Sequence, residues 1–147
     1  VSLRQQDAIR IFRHLPGIPE AIPIVYLIDT WTWIEYWKGS NKKAIKIIDG
    51  SPEEFCVSSI TIAEIAQIYQ QRDKSLIPVR TDDVAGRATI VPVTFDIARL
   101  AGQLRNTEIE GGIADAIILA TARITPSKIV TGDQHFRDLP DVLYLGK

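Results

Sequence analysis

Short, unbroken apolar runs recur along this chain, and stretches with helical periodicity separate them. The run IVYLI at 24–28 has no polar alternation, so a strand there needs cover on both faces. Phe55 to Ser58, Ile90 to Val93 and Ile129 to Thr131 repeat the pattern, with Val142 to Leu145 as a candidate fifth strand. Strands that alternate with helices need crossover connections, and crossovers produce a mostly parallel sheet with helices on both faces. The expected architecture is a three-layer α/β fold around a mostly parallel, twisted sheet of four to five strands.

The intervening segments predict helices at 32–38, at about 41–49, from Thr61 to about Arg72, and at 95–105. A weaker helix is expected near 82–88, and an apolar one over 113–123 follows a Gly111-Gly112 hinge. Residues 2–15 also read as a helix: Ser2 and Gln5 have capping-box spacing, and Ala8, Ile11, Phe12 and Leu15 form one apolar face. Pro16, Gly17, Pro19 and Pro23 then make an extended connector. The chain thus divides into an N-terminal helix and connector, 1–23, and a main domain, 24–147.

Composition removes several function classes. With 46% hydrophobic and 24% charged residues among 147, the chain has the balance of a globular domain large enough for one core. No apolar run has the length of a membrane span, and the charged N-terminal stretch does not read as a signal peptide, so a cytoplasmic address is expected. Cys56 is the single cysteine, which excludes an internal disulfide and a cysteine-based zinc site. A net charge of −1 provides no global basic field for nucleic acid, so such a role requires local patches and a metal.

Four acids sit where strands give way to helices: Asp29, Glu64, Asp115 and Asp133. Each has an ordinary explanation. Asp29 can cap the next helix, and Glu64 stands three residues after Thr61 in capping-box spacing. Asp115 suits the dipole at a helix start, and Asp133 suits a turn. Together they carry more. In an open α/β sheet those positions gather at the carboxyl ends of the strands, where ligands bind. Alanines 63, 66, 114 and 116 beside Glu64 and Asp115 leave room around their carboxylates. Clustered carboxylates do not all ionise uncompensated, and Mg2+ or Mn2+ supplies the compensation through oxygen ligands. Such an ion activates water and neutralises charge developing on a phosphodiester, so metal-dependent phosphodiester hydrolysis is the chemistry these residues fit best.

Four segments in order, YLIDTWTWIEYWKGS, SSITIAEI, GIADAIILATAR and IVTGDQHF, make the chain resemble the PIN-domain ribonucleases, which include the VapC toxins of toxin–antitoxin pairs. The resemblance spans about residues 24–146. It implies a PIN-like fold and an Mg2+- or Mn2+-dependent endoribonuclease acting on single-stranded or loop RNA. It also implies a homodimer and an antitoxin partner that blocks the site. Asp29, Asp115 and Asp133 match the family's metal-holding acids, Glu64 matches its glutamate as ligand or general base, and Thr131 matches the threonine that orients a carboxylate or a water. Two positions depart from the pattern. Trp31 stands where many members carry a small polar residue, and His135 stands where many carry a further aspartate. His135 is expected to hold a phosphate, assist a water or face solvent.

Two rival readings remain at this stage. One is a catalytically silent PIN-fold interaction module, with Trp31 marking lost activity. The other is a phosphatase of the haloacid-dehalogenase kind, which needs a second aspartate where this chain has Trp31. Elsewhere, Trp33 and Trp37 have the i,i+4 spacing of a packed face or subunit interface, although aromatic residues can also stack on RNA bases. Lys38, Lys42, Lys43 and Lys46 form a basic stretch expected to be a solvated face or to touch phosphates. Cys56 is expected in the core, and Thr94 with Asp96 as an ordinary helix start.

Overall fold

The computed structural model describes residues 25–147. The expected N-terminal helix at 2–15 and its connector lie outside the described residues. Five strands, β1 (Val25–Ile28), β2 (Glu54–Ser58), β3 (Thr89–Val91), β4 (Lys128–Thr131) and β5 (Val142–Tyr144), form one sheet in the order β3-β2-β1-β4-β5. Every pairing is parallel. Six α-helices lie between them: α1 (Thr30–Lys38), α2 (Lys42–Gly50), α3 (Ser59–Arg72), α4 (Leu76–Arg87), α5 (Phe95–Leu104) and α6 (Ile113–Ile124). The three-layer α/β expectation and the fifth strand both hold.

Successive strand residues point to opposite faces, and this divides the core in two. Val25, Leu27, Cys56, Val91 and Ile129 point to one side, where they meet Ile97 and Ala101 of α5 and Ala116, Leu119 and Ala120 of α6. Ile28, Val57 and Val130 point to the other, where Trp33, Ile34, Ala44, Ile48, Ile65, Tyr69 and Val84 of α1 to α4 cover them. Apolar positions on both sides of each strand explain why the sequence shows no polar alternation there.

Trp33 is fully buried, and its ring centroid lies 5.8 Å from that of Trp37. Trp37 donates its indole N–H to Asp83 Oδ2 at 2.8 Å. The pair is a packed helix face. Cys56 is buried, and Thr94 caps α5 by accepting from the Ile97 amide at 3.2 Å.

Two local expectations are corrected. The helix expected near 82–88 begins at Leu76 and runs through Pro78. A proline in the first turn breaks no hydrogen bond, because the amides there have no intrahelical partner. The Thr61–Glu64 capping box does not form. Helix α3 starts two residues earlier, and Ser58 caps it by accepting from the Ile60 amide at 3.2 Å.

Candidate metal centre

The chain goes from β1 outward through β2 and β3, then returns to place β4 on the other side of β1. The connections therefore leave in opposite directions at the carboxyl ends of β1 and β4, which opens a crevice between them. Asp29 directly follows β1, and its amide donates to the Val130 carbonyl at 3.0 Å, which ties it to β4. Thr32 Oγ1 donates to the same carbonyl at 2.8 Å and anchors the start of α1 there.

Thr131, the last residue of β4, is fully buried and connects two of the acids. Its hydroxyl donates to Asp29 Oδ2 at 2.7 Å and accepts from the Asp133 amide at 3.0 Å. Asp133 also caps the 3-10 turn Gln134–Phe136 by accepting from the His135 amide at 2.9 Å. Its turn reading and its place in the crevice are both true.

Glu64 reaches the crevice from the first half of α3. Its Oε1 accepts from Thr30 Oγ1 at 2.7 Å, and that hydroxyl lies 3.1 Å from Thr61 Oγ1. Thr61 and Glu64 are thus connected through Thr30 rather than through a cap. Sequence reasoning missed Thr30, whose only signal is its place next to Asp29.

Asp115 lies in the first turn of α6, where the nearby Gly112 backbone amide favours its charged form. A Cβ at Gly111 would run into that carboxylate, so the glycine hinge gives it space. Trp31 is explained the same way. Its indole lies against Gly132, where any Cβ would collide with the ring. The bulky residue is thus accommodated because position 132 is a glycine.

The four acids share one electrostatic environment. Burial raises the Asp29 carboxyl from 3.8 to about 7; the Thr131 hydroxyl opposes this, and the charges of Glu64 and Asp115 add to it. Glu64 is raised by burial, with the Thr30 hydrogen bond opposing and the charges of Asp115 and Asp133 adding. Asp115 is raised by burial and by Asp133, while His135 opposes. His135 Nδ1 stands 3.1 Å from Asp115 Oδ2 and 3.0 Å from Asp133 Oδ1. Half of the solvent expectation for His135 holds: its side chain is 41% exposed, yet its Nδ1 turns inward.

Among the described residues, no lysine or arginine forms an ion pair with any of the four acids. Lys38 pairs with Glu35 at 3.5 Å, and Lys42, Lys43 and Lys46 are exposed. An oxygen-rich donor set, raised carboxyls and no fixed cation fit a hard divalent ion. Asp115, Asp133 and His135 each offer a donor atom, all within 4.8 Å of one another.

An open parallel α/β domain with acids gathered at its switch point defines a class, and the sequence assigns the family. The PIN domain matches residues 26–142, and the chain belongs to the PIN-domain family. No curated protein matches the sequence. Among solved structures, a toxin–antitoxin complex from Klebsiella pneumoniae is similar, with 25% identity, a TM-score of 0.68, and coverage of 84% of this chain and 98% of that one. The DNA-bound VapBC of Salmonella typhimurium shares the fold at 20% identity and a TM-score of 0.66, covering 82% of this chain and 96% of that one. So does Mycobacterium tuberculosis VapC20, described as a sarcin–ricin loop cleaving toxin, at 18% identity and a TM-score of 0.65, with 80% and 96% covered. Family membership removes the haloacid-dehalogenase alternative. No helix among the described residues is long and apolar enough to cross a membrane.

Proposed function

We propose that this protein is a divalent-metal-dependent endoribonuclease and the toxin of a toxin–antitoxin pair. The observation that carries the reading is the convergence of Asp29, Glu64, Asp115 and Asp133, from four separate elements, on the β1–β4 crevice with no fixed cation among them. A divalent cation, Mg2+ or Mn2+, supplies the charge that offsets these acids and polarises a scissile phosphate.

Asp29, Asp115 and Asp133 hold the ion in this reading. Thr131 orients Asp29 through its 2.7 Å hydrogen bond. Glu64 is a further ligand or the general base, and its raised carboxyl moves it toward the range useful for taking a proton near neutral pH. Trp31 packs on Gly132 without displacing an acid, which favours an active site over a silent interaction module. The Klebsiella complex supports an antitoxin partner, and the description of VapC20 supports RNA as substrate. The family resemblance supports a homodimer, and an RNA substrate suits a cytoplasmic address. The 24–147 domain boundary is part of the same proposal.

Purified protein incubated with unstructured RNA should cleave it with Mg2+ or Mn2+ and stop in EDTA. Asp29→Asn and Asp115→Asn should each lower the rate by roughly 100-fold or more, as expected when groups that bind the activating ion are lost. Full activity in either variant while it remains folded would overturn the assignment.

A further inference from the structure

His135 is the chemically odd member of the site. Its backbone amide is bound to Asp133 Oδ1 at 2.9 Å, and Asp133 is bound in turn to Thr131, so the 3-10 turn presents the ring in a defined direction. Nδ1 lies 3.1 Å from Asp115 Oδ2 and 3.0 Å from Asp133 Oδ1. Neighbouring ligands around an octahedral ion about 2.1 Å away are separated by about 3 Å, so two sides of this triangle already have that spacing, and all three donor atoms lie within 4.8 Å of one another.

We infer that His135 Nδ1 is a metal ligand and biases the site toward Mn2+ over Mg2+. A neutral imidazole adds a nitrogen donor without adding a fifth negative charge to a crevice that holds four carboxylates. Mg2+ takes oxygen ligands and gives up its waters reluctantly, whereas Mn2+, although it too suits carboxylates, begins the first-row series whose affinity for mixed nitrogen and oxygen sites rises toward Cu2+. Ligation through Nδ1 puts the ring proton on Nε2, on a side chain exposed enough for water to accept it. An aspartate at this position would make the site all-oxygen and remove the nitrogen donor's bias toward Mn2+.

The inference rests on the metal-site reading above, and the test separates the two. Calorimetric titration of the full chain with MnCl2 and with MgCl2 gives an affinity ratio that requires no RNA cleavage. His135→Ala should weaken Mn2+ binding about tenfold or more and change Mg2+ binding less than about threefold, the size of effect expected for a lost ligand. His135→Asp should lower the Mn2+/Mg2+ ratio below that of wild type. Electron spin-echo spectra of the Mn2+ form should show histidine nitrogen coupling that disappears in His135→Ala and persists in His14→Ala, the chain having only these two histidines. Metal binding with an unchanged ratio and unchanged nitrogen coupling in His135→Ala overturns the role of His135 and leaves the carboxylate site standing. Failure of wild type to bind either ion overturns both.

Discussion

Replacing Asp29 by asparagine tests the electrostatics of the crevice directly. Asp29 is 4% exposed, and its carboxyl is raised from 3.8 to about 7. Between those values the folded protein keeps a proton that the unfolded chain has released. Stability therefore falls as pH rises across that window. At about 1.4 kcal/mol per pH unit, the displacement amounts to about 4 kcal/mol lost by the metal-free protein above pH 7. Glu64 and Asp115 are raised as well and act in the same direction. Asparagine keeps the shape and an acceptor for Thr131 but has no charge to bury. In EDTA, the variant should melt at about the same temperature as wild type near pH 4.5 and roughly 10 °C higher at pH 8, using the usual conversion for a domain of this size. Thermal melts by circular dichroism across that range, in matched low-salt buffers, provide the comparison. Identical pH slopes, or an Asp29→Asn protein less stable at pH 8, would refute the reasoning and make Asp29 a structural residue.

Other outcomes follow from the same geometry. Mg2+ or Mn2+ at a hundredfold excess over its dissociation constant should stabilise wild type by about 2.7 kcal/mol and Asp115→Asn by much less, as read by melts with and without metal. Gly132→Ala should destabilise the protein by about 1–3 kcal/mol, because the added methyl meets the Trp31 ring; Trp31→Ala in the same chain should recover part of that loss in a denaturant-melt cycle. Thr30→Val should leave Glu64 without its 2.7 Å donor and lower kcat more than it raises KM, as measured by steady-state RNA cleavage. Metal affinity should rise with pH through about 7, since an ion and a proton compete for Asp29; a pH-independent dissociation constant would contradict its place among the ligands.

Local pattern was enough to read most of the architecture. Unalternating strands such as 25–28 and the helices between them are encoded by neighbouring residues, and strand–helix alternation leaves few topologies besides a parallel sheet. Three of the four acids were visible for the same reason: Asp29, Asp115 and Asp133 stand just after a strand or at a helix start, a local property, whereas Glu64 lies within α3 beyond its first turn. Local rules failed at Thr61, where capping-box spacing was present but Ser58 took the cap, and at the helix expected near 82–88, which begins at Leu76. What the tertiary structure decided is which distant residues meet. The order β2-β1-β4 places Thr131 against Asp29, a separation of 102 residues, and the packing of α1 on α3 brings Thr30 to Glu64. The inward turn of the His135 ring and the burial that raises Asp29 arise only when those elements close around the crevice. Element type follows from interactions within a few residues, whereas a carboxylate's surroundings are set by chain segments that its own neighbourhood in sequence does not specify.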